Sequence, residues 1–131
     1  MSRLGLLLLA ASALLTTIAN LALRAGLDRA GGFRPDGLVA TVVEFARMLC
    51  EPLFAAGFIL YFVAALVWFR VIAYEPLSTA YPVMVGLIFV MVSIGAVFIF
   101  SEPVSIRKVI GLAVILAGIA IASTTGPVRV P

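Results

Sequence analysis

The sequence predicts an all-α membrane protein: a four-transmembrane-helix bundle with an interfacial amphipathic segment between helices 1 and 2. Three observations predict it. The 131 residues are 64% hydrophobic and only 11% charged, with a mean hydropathy of +1.26, whereas soluble chains are about a quarter charged. A soluble domain this small cannot hide so much apolar surface, so lipid is the solvent for most of it. The apolar stretches run to about 20 residues without the alternation of barrel strands. In lipid every backbone N–H and C=O must be paired within the structure, and helices follow. The chain reads as one integral membrane domain, 1–131.

The first span is placed at residues 4–23. Its start, LGLLLLAASALL after Arg3, has the look of a signal peptide, and Ala11-Ser12-Ala13 offers a small-residue cleavage pattern. The apolar character continues through Leu14, Leu15, Ile18, Leu21 and Leu23, which favours a retained span. Residues 24–37 read as a polar loop with turn chemistry at Gly31-Gly32 and Pro35-Asp36-Gly37. Leu38 to Cys50 follow, with Glu44, Arg47 and Glu51 spaced to pair as i,i+3 and i,i+4. This stretch is expected to be a short interfacial helix, the alternative being an extension of the second span.

The second span is placed at 52–73, opening on Pro52, a good first-turn residue. Tyr61, Trp68 and Tyr74 suit aromatic anchoring. The third is placed at 77–100, where Pro82, Gly86 and Gly95 predict a bend. The fourth is placed at 104–123. Pro76 and Pro103 mark tight turns, so neighbouring spans run antiparallel. Four crossings put both termini on one side. Termini outside leave Arg24, Arg29, Arg34, Arg107 and Lys108 in the cytoplasm, against Arg3, Arg70 and Arg129 for the reverse. The positive-inside rule favours the former by a small margin.

The polar residues narrow the chemistry. With one cysteine, Cys50, and no histidine, an internal disulfide cannot form and a zinc or haem site is not expected. No cofactor is expected. A net charge of +3 from scattered basic residues gives nucleic-acid binding no support. Nothing resembles a nucleophile–base pair or a phosphate loop, so the chain is read as a non-enzyme. Ser12, Thr16, Asn20 and Arg24 recur every four residues along one face of the first span. Such a stripe faces protein or water. It reads either as helix–helix glue or as a groove for a substrate headgroup with Arg24 at its mouth. No acidic residue sits mid-span. Glu44, Glu51, Glu75 and Glu102 fall near span ends, and Glu51, beside Pro52, is the best of them for a functional role. Tyr81 is a stacking or anchoring residue. Gly111 and Gly118, with Ala117 and Ala122, form a small-residue packing face on the fourth span.

The run from Tyr74 through Glu75-Pro76-Leu77-Ser78-Thr79-Ala80 to Tyr81-Pro82 resembles the small multidrug resistance family, where proline is followed by an Ala-Tyr pair. Gly111 and Gly118 fall where that family has its fourth-helix dimerisation glycines. The run Ser101-Glu102-Pro103-Val104-Ser105, continuing through Gly111 to Gly118, is more similar to another EamA-like branch of the drug/metabolite transporter superfamily. That branch contains the small subunits of the aminoarabinose–undecaprenyl-phosphate flippase. Trp68, eight residues before Pro76, and Ala80-Tyr81-Pro82 also fit it. The resemblance covers all four spans and is strongest over 68–122. It implies a multi-pass transporter subunit of the bacterial inner membrane, working as a homo- or heterodimer through the fourth span. Its substrate is expected to be amphipathic or lipid-linked, drawn from the membrane lipid.

Multidrug exporters of this type carry a glutamate in the middle of the first span. If Arg24 matches the basic residue ending that helix, the position falls on Thr16, which cannot titrate. The flippase-like subunits also lack that glutamate. Lipid-substrate translocation is therefore expected, with Ser12, Thr16, Asn20, Arg24, Glu51, Trp68 and Tyr81 as candidate substrate-binding residues. Two alternatives remain: a proton-coupled exporter of cations that uses Glu51, and a non-transporting subunit that anchors a partner enzyme.

Overall fold

The computed structural model describes residues 2–32, 34 and 36–124. Pro35 of the expected turn and Arg129 of the charge balance lie outside them. Five helices follow in order: α1 (Arg3–Arg29), α2 (Leu38–Met48), α3 (Pro52–Tyr74), α4 (Leu77–Phe100) and α5 (Ile106–Thr124). All but α2 are long and apolar enough to cross a membrane. The molecule is a helical membrane bundle.

α1 starts cleanly because the Ser2 hydroxyl accepts from the Gly5 N–H at 2.9 Å. At 27 residues it is about 40 Å long, longer than a hydrocarbon core of about 30 Å. It does not stop at Leu23. Arg24 and Asp28 pair one turn apart at 3.2 Å, and Gly26 lets the Phe54 backbone approach closely, so the helix runs on to Arg29. The polar loop is correspondingly shorter than the sequence suggested. Gly31 and Gly32, both at positive φ, end the helix, and the Gly32 N–H reaches back to the Leu27 carbonyl at 2.8 Å.

α2 is a separate helix, not an extension of α3. Phe45 meets Phe54 and Phe58 edge-on and Met48 is buried, while Leu38, Val39, Val42 and Val43 are exposed. Arg47 bonds Glu44 at 2.7 Å. It does not reach Glu51, because the chain leaves the helix after Met48 and turns Glu51 toward Arg29.

α1 is the central element. It packs along α3 and, less extensively, α4, while α3 and α4 touch each other little. Antiparallel packing of α1 on α3 is close because Gly57 leaves no room for a side chain against the Leu23 and Ala19 backbone. Leu9, Ala13, Val71, Ala80 and Met84 form the buried core, flanked by Trp68 and Ile88. α5 packs on α4, where Ile119 and Leu116 lie over Gly86.

Candidate functional site

Because α3 and α4 diverge from their short turn and barely touch, a groove opens between them with α1 as its floor. Its first lobe, about 200 Å³, has Ser12 and Thr16 beneath it. Tyr61, Ala64 and Trp68 of α3 form one wall, and Tyr81, Met84 and Ile88 of α4 form the other. At the turn end Trp68 and Tyr81 stand as a tilted pair, ring centroids 6.1 Å apart. Val85 and Ile88 also line a second lobe, about 360 Å³, that reaches Asn20 and Ser93. Tyr61 and Tyr81 are about half exposed, so the groove faces the surface that a bilayer would contact.

The floor is polar, but most of its hydrogen-bonding capacity is already committed. Ser12 is 0% exposed and donates across the helix interface to the Ala64 carbonyl at 2.9 Å. Thr17 bonds back to the Ala13 carbonyl at 2.8 Å and Asn20 Nδ2 to that of Thr16 at 3.0 Å. Thr16 differs. It is 8% exposed, lines the groove, and its hydroxyl takes no partner among the described residues. It also sits at the midpoint of α1. The groove thus presents one free, nearly buried hydroxyl at mid-span under an aromatic pair.

Four of the seven candidate binding residues, Ser12, Thr16, Trp68 and Tyr81, meet in one lobe, and Asn20 lines the next. Arg24 and Glu51 do not join them. Arg24 bonds Asp28 and sits over the Phe100 ring, 5.8 Å from its centroid. Glu51 lies beyond the groove with Oε1 3.6 Å from Arg29 Nε. That is ion-pair range without a formed hydrogen bond, and the oxygen is otherwise buried. No carboxylate lines either lobe.

The sequence pointed to one residue of each wall, Trp68 and Tyr81, and missed the neighbours that complete them. Tyr61, Ala64 and Trp68 are spaced i, i+3, i+7, and Tyr81, Met84, Val85 and Ile88 are spaced i, i+3, i+4, i+7. Each set therefore lies on one helix face. That signal was available, but it does not say which faces confront each other.

Glu75, placed near a span end by the sequence, has a structural role there. It is buried in the α3–α4 connection. Ser2 donates to it from both its hydroxyl and its N–H, at 2.5 and 3.1 Å. The hydroxyl bond chiefly holds the carboxyl below its usual range, against the opposing effect of burial, with the N–H adding to the lowering.

This chain is similar to flippase subunits. A protein of Erwinia tasmaniensis named "Probable 4-amino-4-deoxy-L-arabinose-phosphoundecaprenol flippase subunit ArnE" is 41% identical over 58 residues, 44% of this chain and 53% of that protein. The same-named protein of Escherichia coli O81 is 44% identical over 62 residues, 47% of this chain and 55% of its own. That of an Enterobacter species is 39% identical over 56 residues, covering 43% and 51%. The chain thus spans about half the length of the curated relatives it matches. No protein-family model matches it, and no solved structure does. The likeness agrees with the small drug/metabolite transporter type read from the motifs. With four apolar spans and a likeness to bacterial flippase subunits, this is a multi-pass inner-membrane protein.

Proposed function

We propose that this chain is one subunit of a flippase that moves a lipid-linked or amphipathic substrate, such as a polyprenyl-phosphate sugar, between leaflets. The observation that supports this best is the two-lobed groove with a free hydroxyl at its centre and no carboxylate. A charged or sugar headgroup crossing hydrocarbon needs hydrogen-bonding partners along its route, while its chain loses nothing by staying in lipid. A groove open along one side serves both needs. The names of the relatives point to the same class of substrate.

In this mechanism a sugar ring enters against Trp68 and Tyr81, whose faces suit its apolar side. Its hydroxyls then bond to Thr16 and next to the amide of Asn20. Arg24 releases Asp28 to meet the phosphate at the far end. A second subunit docks on the small-residue face of α5, and rocking of the two against each other exposes the groove alternately. α2 lies in the membrane interface with its apolar face toward lipid.

The test is reconstitution in liposomes, alone and with a candidate partner subunit, using a fluorescent polyprenyl-phosphate sugar. Flipping above the protein-free rate is expected. Absence of flipping, together with a proton-coupled current driven by quaternary ammonium compounds and lost in Glu51→Gln, would replace this reading with that of an exporter.

A further inference from the structure

A second cavity, about 250 Å³, sits at the bundle end that carries Ser2 and shares no lining residue with the groove. Two opposite charges line it, Arg70 near the end of α3 and Glu75 just beyond it, together with Ser2 at the cap of α1, Leu4 and Leu8 of α1, and Val71 and Tyr74 of α3. Glu75 is only 9% exposed. Among the described residues it accepts two hydrogen bonds, both from Ser2 and both on Oε1. Oε2 takes none among the described residues, yet it is not sealed away. Arg70 is exposed and has no carboxylate within ion-pair distance among the described residues. Its guanidinium stands 5.3 Å from the centroid of the Tyr74 ring.

Two opposite charges that border one cavity without touching call for a ligand that bridges them. A simple cation would face Arg70, and a simple anion would face Glu75. Each meets repulsion that a zwitterion avoids. Leu4, Leu8 and Val71 give the wall an apolar side, and the cavity lies at the ends of two spans, the depth of lipid headgroups. Its volume is below the roughly 300–1,000 Å³ of sites that enclose a drug-sized ligand, which suits a headgroup whose chains remain outside.

We propose that this cavity binds the headgroup of a zwitterionic membrane phospholipid bearing a primary ammonium. Oε2 of Glu75 accepts an ammonium N–H, and Arg70 holds the phosphate. A quaternary ammonium offers no N–H to Oε2 and binds less well. Leu4 and Leu8 receive the first part of the acyl region. The proposal does not rest on the flippase reading, and either can fail without the other.

The test is native mass spectrometry of the purified, delipidated protein with phosphatidylethanolamine, phosphatidylcholine or phosphatidylglycerol. The expected result is retention of phosphatidylethanolamine about tenfold above the other two, a difference of about 1.4 kcal/mol. Arg70→Gln and Glu75→Gln should each remove the preference. Arg70 is exposed, so its variant keeps the fold even if the Glu75 variant does not. Equal retention of the three lipids, or an unchanged preference in Arg70→Gln, overturns the proposal. Millimolar phosphoethanolamine should leave the bound lipid in place. Complete displacement would make this a site for a soluble phosphate and overturn the lipid assignment.

Discussion

α1 and α5 are both apolar spans with small and hydroxyl-bearing residues, yet their surroundings are opposite. Around α1 every small residue on the α3 side is in use. Side chains at Gly26 and Gly57 would strike backbone, and Ser12 is closed off by the Ala64 carbonyl. Along α5 a side chain at Gly111 or Gly118 would meet nothing within 4 Å, and no residue of the span is buried. Glycine in a membrane helix is justified by close approach of a neighbour. On α1 and α3 that neighbour is present within the chain. On α5 none is present among the described residues, which is the reason for proposing that a partner subunit docks on that face.

Substitutions can break this contrast. The largest effect is expected from Gly57→Leu, whose side chain must displace the Leu23 and Ala19 backbone. Overpacking costs about 1–3 kcal/mol even where side chains can yield, and backbone yields less. Size-exclusion chromatography in detergent should show loss of the monodisperse peak. A normal peak would mean that α1 and α3 are not packed this closely.

Ser12→Ala removes one interhelical hydrogen bond. Such bonds average about 0.6 kcal/mol in membranes, so a loss of this size is expected in denaturant titration, with the fold intact. The Glu75 latch gives a smaller effect that depends on pH. Its carboxyl is held below the ordinary value of 4.5, so the bond to Ser2 is at full strength above that pH and weakens as pH falls through the lowered value. Thermal stability should therefore drop in acid for the native chain but stay flat across the same range in Glu75→Gln. Smallest of all, Gly118→Leu should change monomer stability by no more than about 0.5 kcal/mol. Cross-linked dimer should fall several-fold in the same variant. Unchanged cross-linking would move the partner off α5.

The spans were legible because hydropathy and prolines mark them. Pro52 does open α3, and Leu77 and Phe100 do bound α4. The end of α1 was not legible. Arg24 and Asp28 look like loop residues in the sequence, and only their pairing and the approach of Phe54 to Gly26 show why the helix continues. The polar stripe was visible as a spacing, but spacing does not distinguish a committed hydroxyl from a free one. Ser12 and Thr16 have the same periodicity, and they differ because Ser12 reaches the Ala64 carbonyl while the Thr16 hydroxyl finds no partner among the described residues. Arg24 shares that face too, but the salt bridge to Asp28 keeps it away from the groove.

The free Thr16 hydroxyl is therefore the point on which the account stands or falls. Flipping of a fluorescent polyprenyl-phosphate sugar, measured in liposomes for Thr16→Leu and Thr16→Ser side by side, tests it most directly. Serine keeps the hydroxyl and should keep most of the rate. Leucine fills the floor with a methyl-tipped side chain and should slow flipping at least tenfold, about 1.4 kcal/mol at the barrier. Equal rates for leucine and the native threonine would show that the headgroup does not pass over α1.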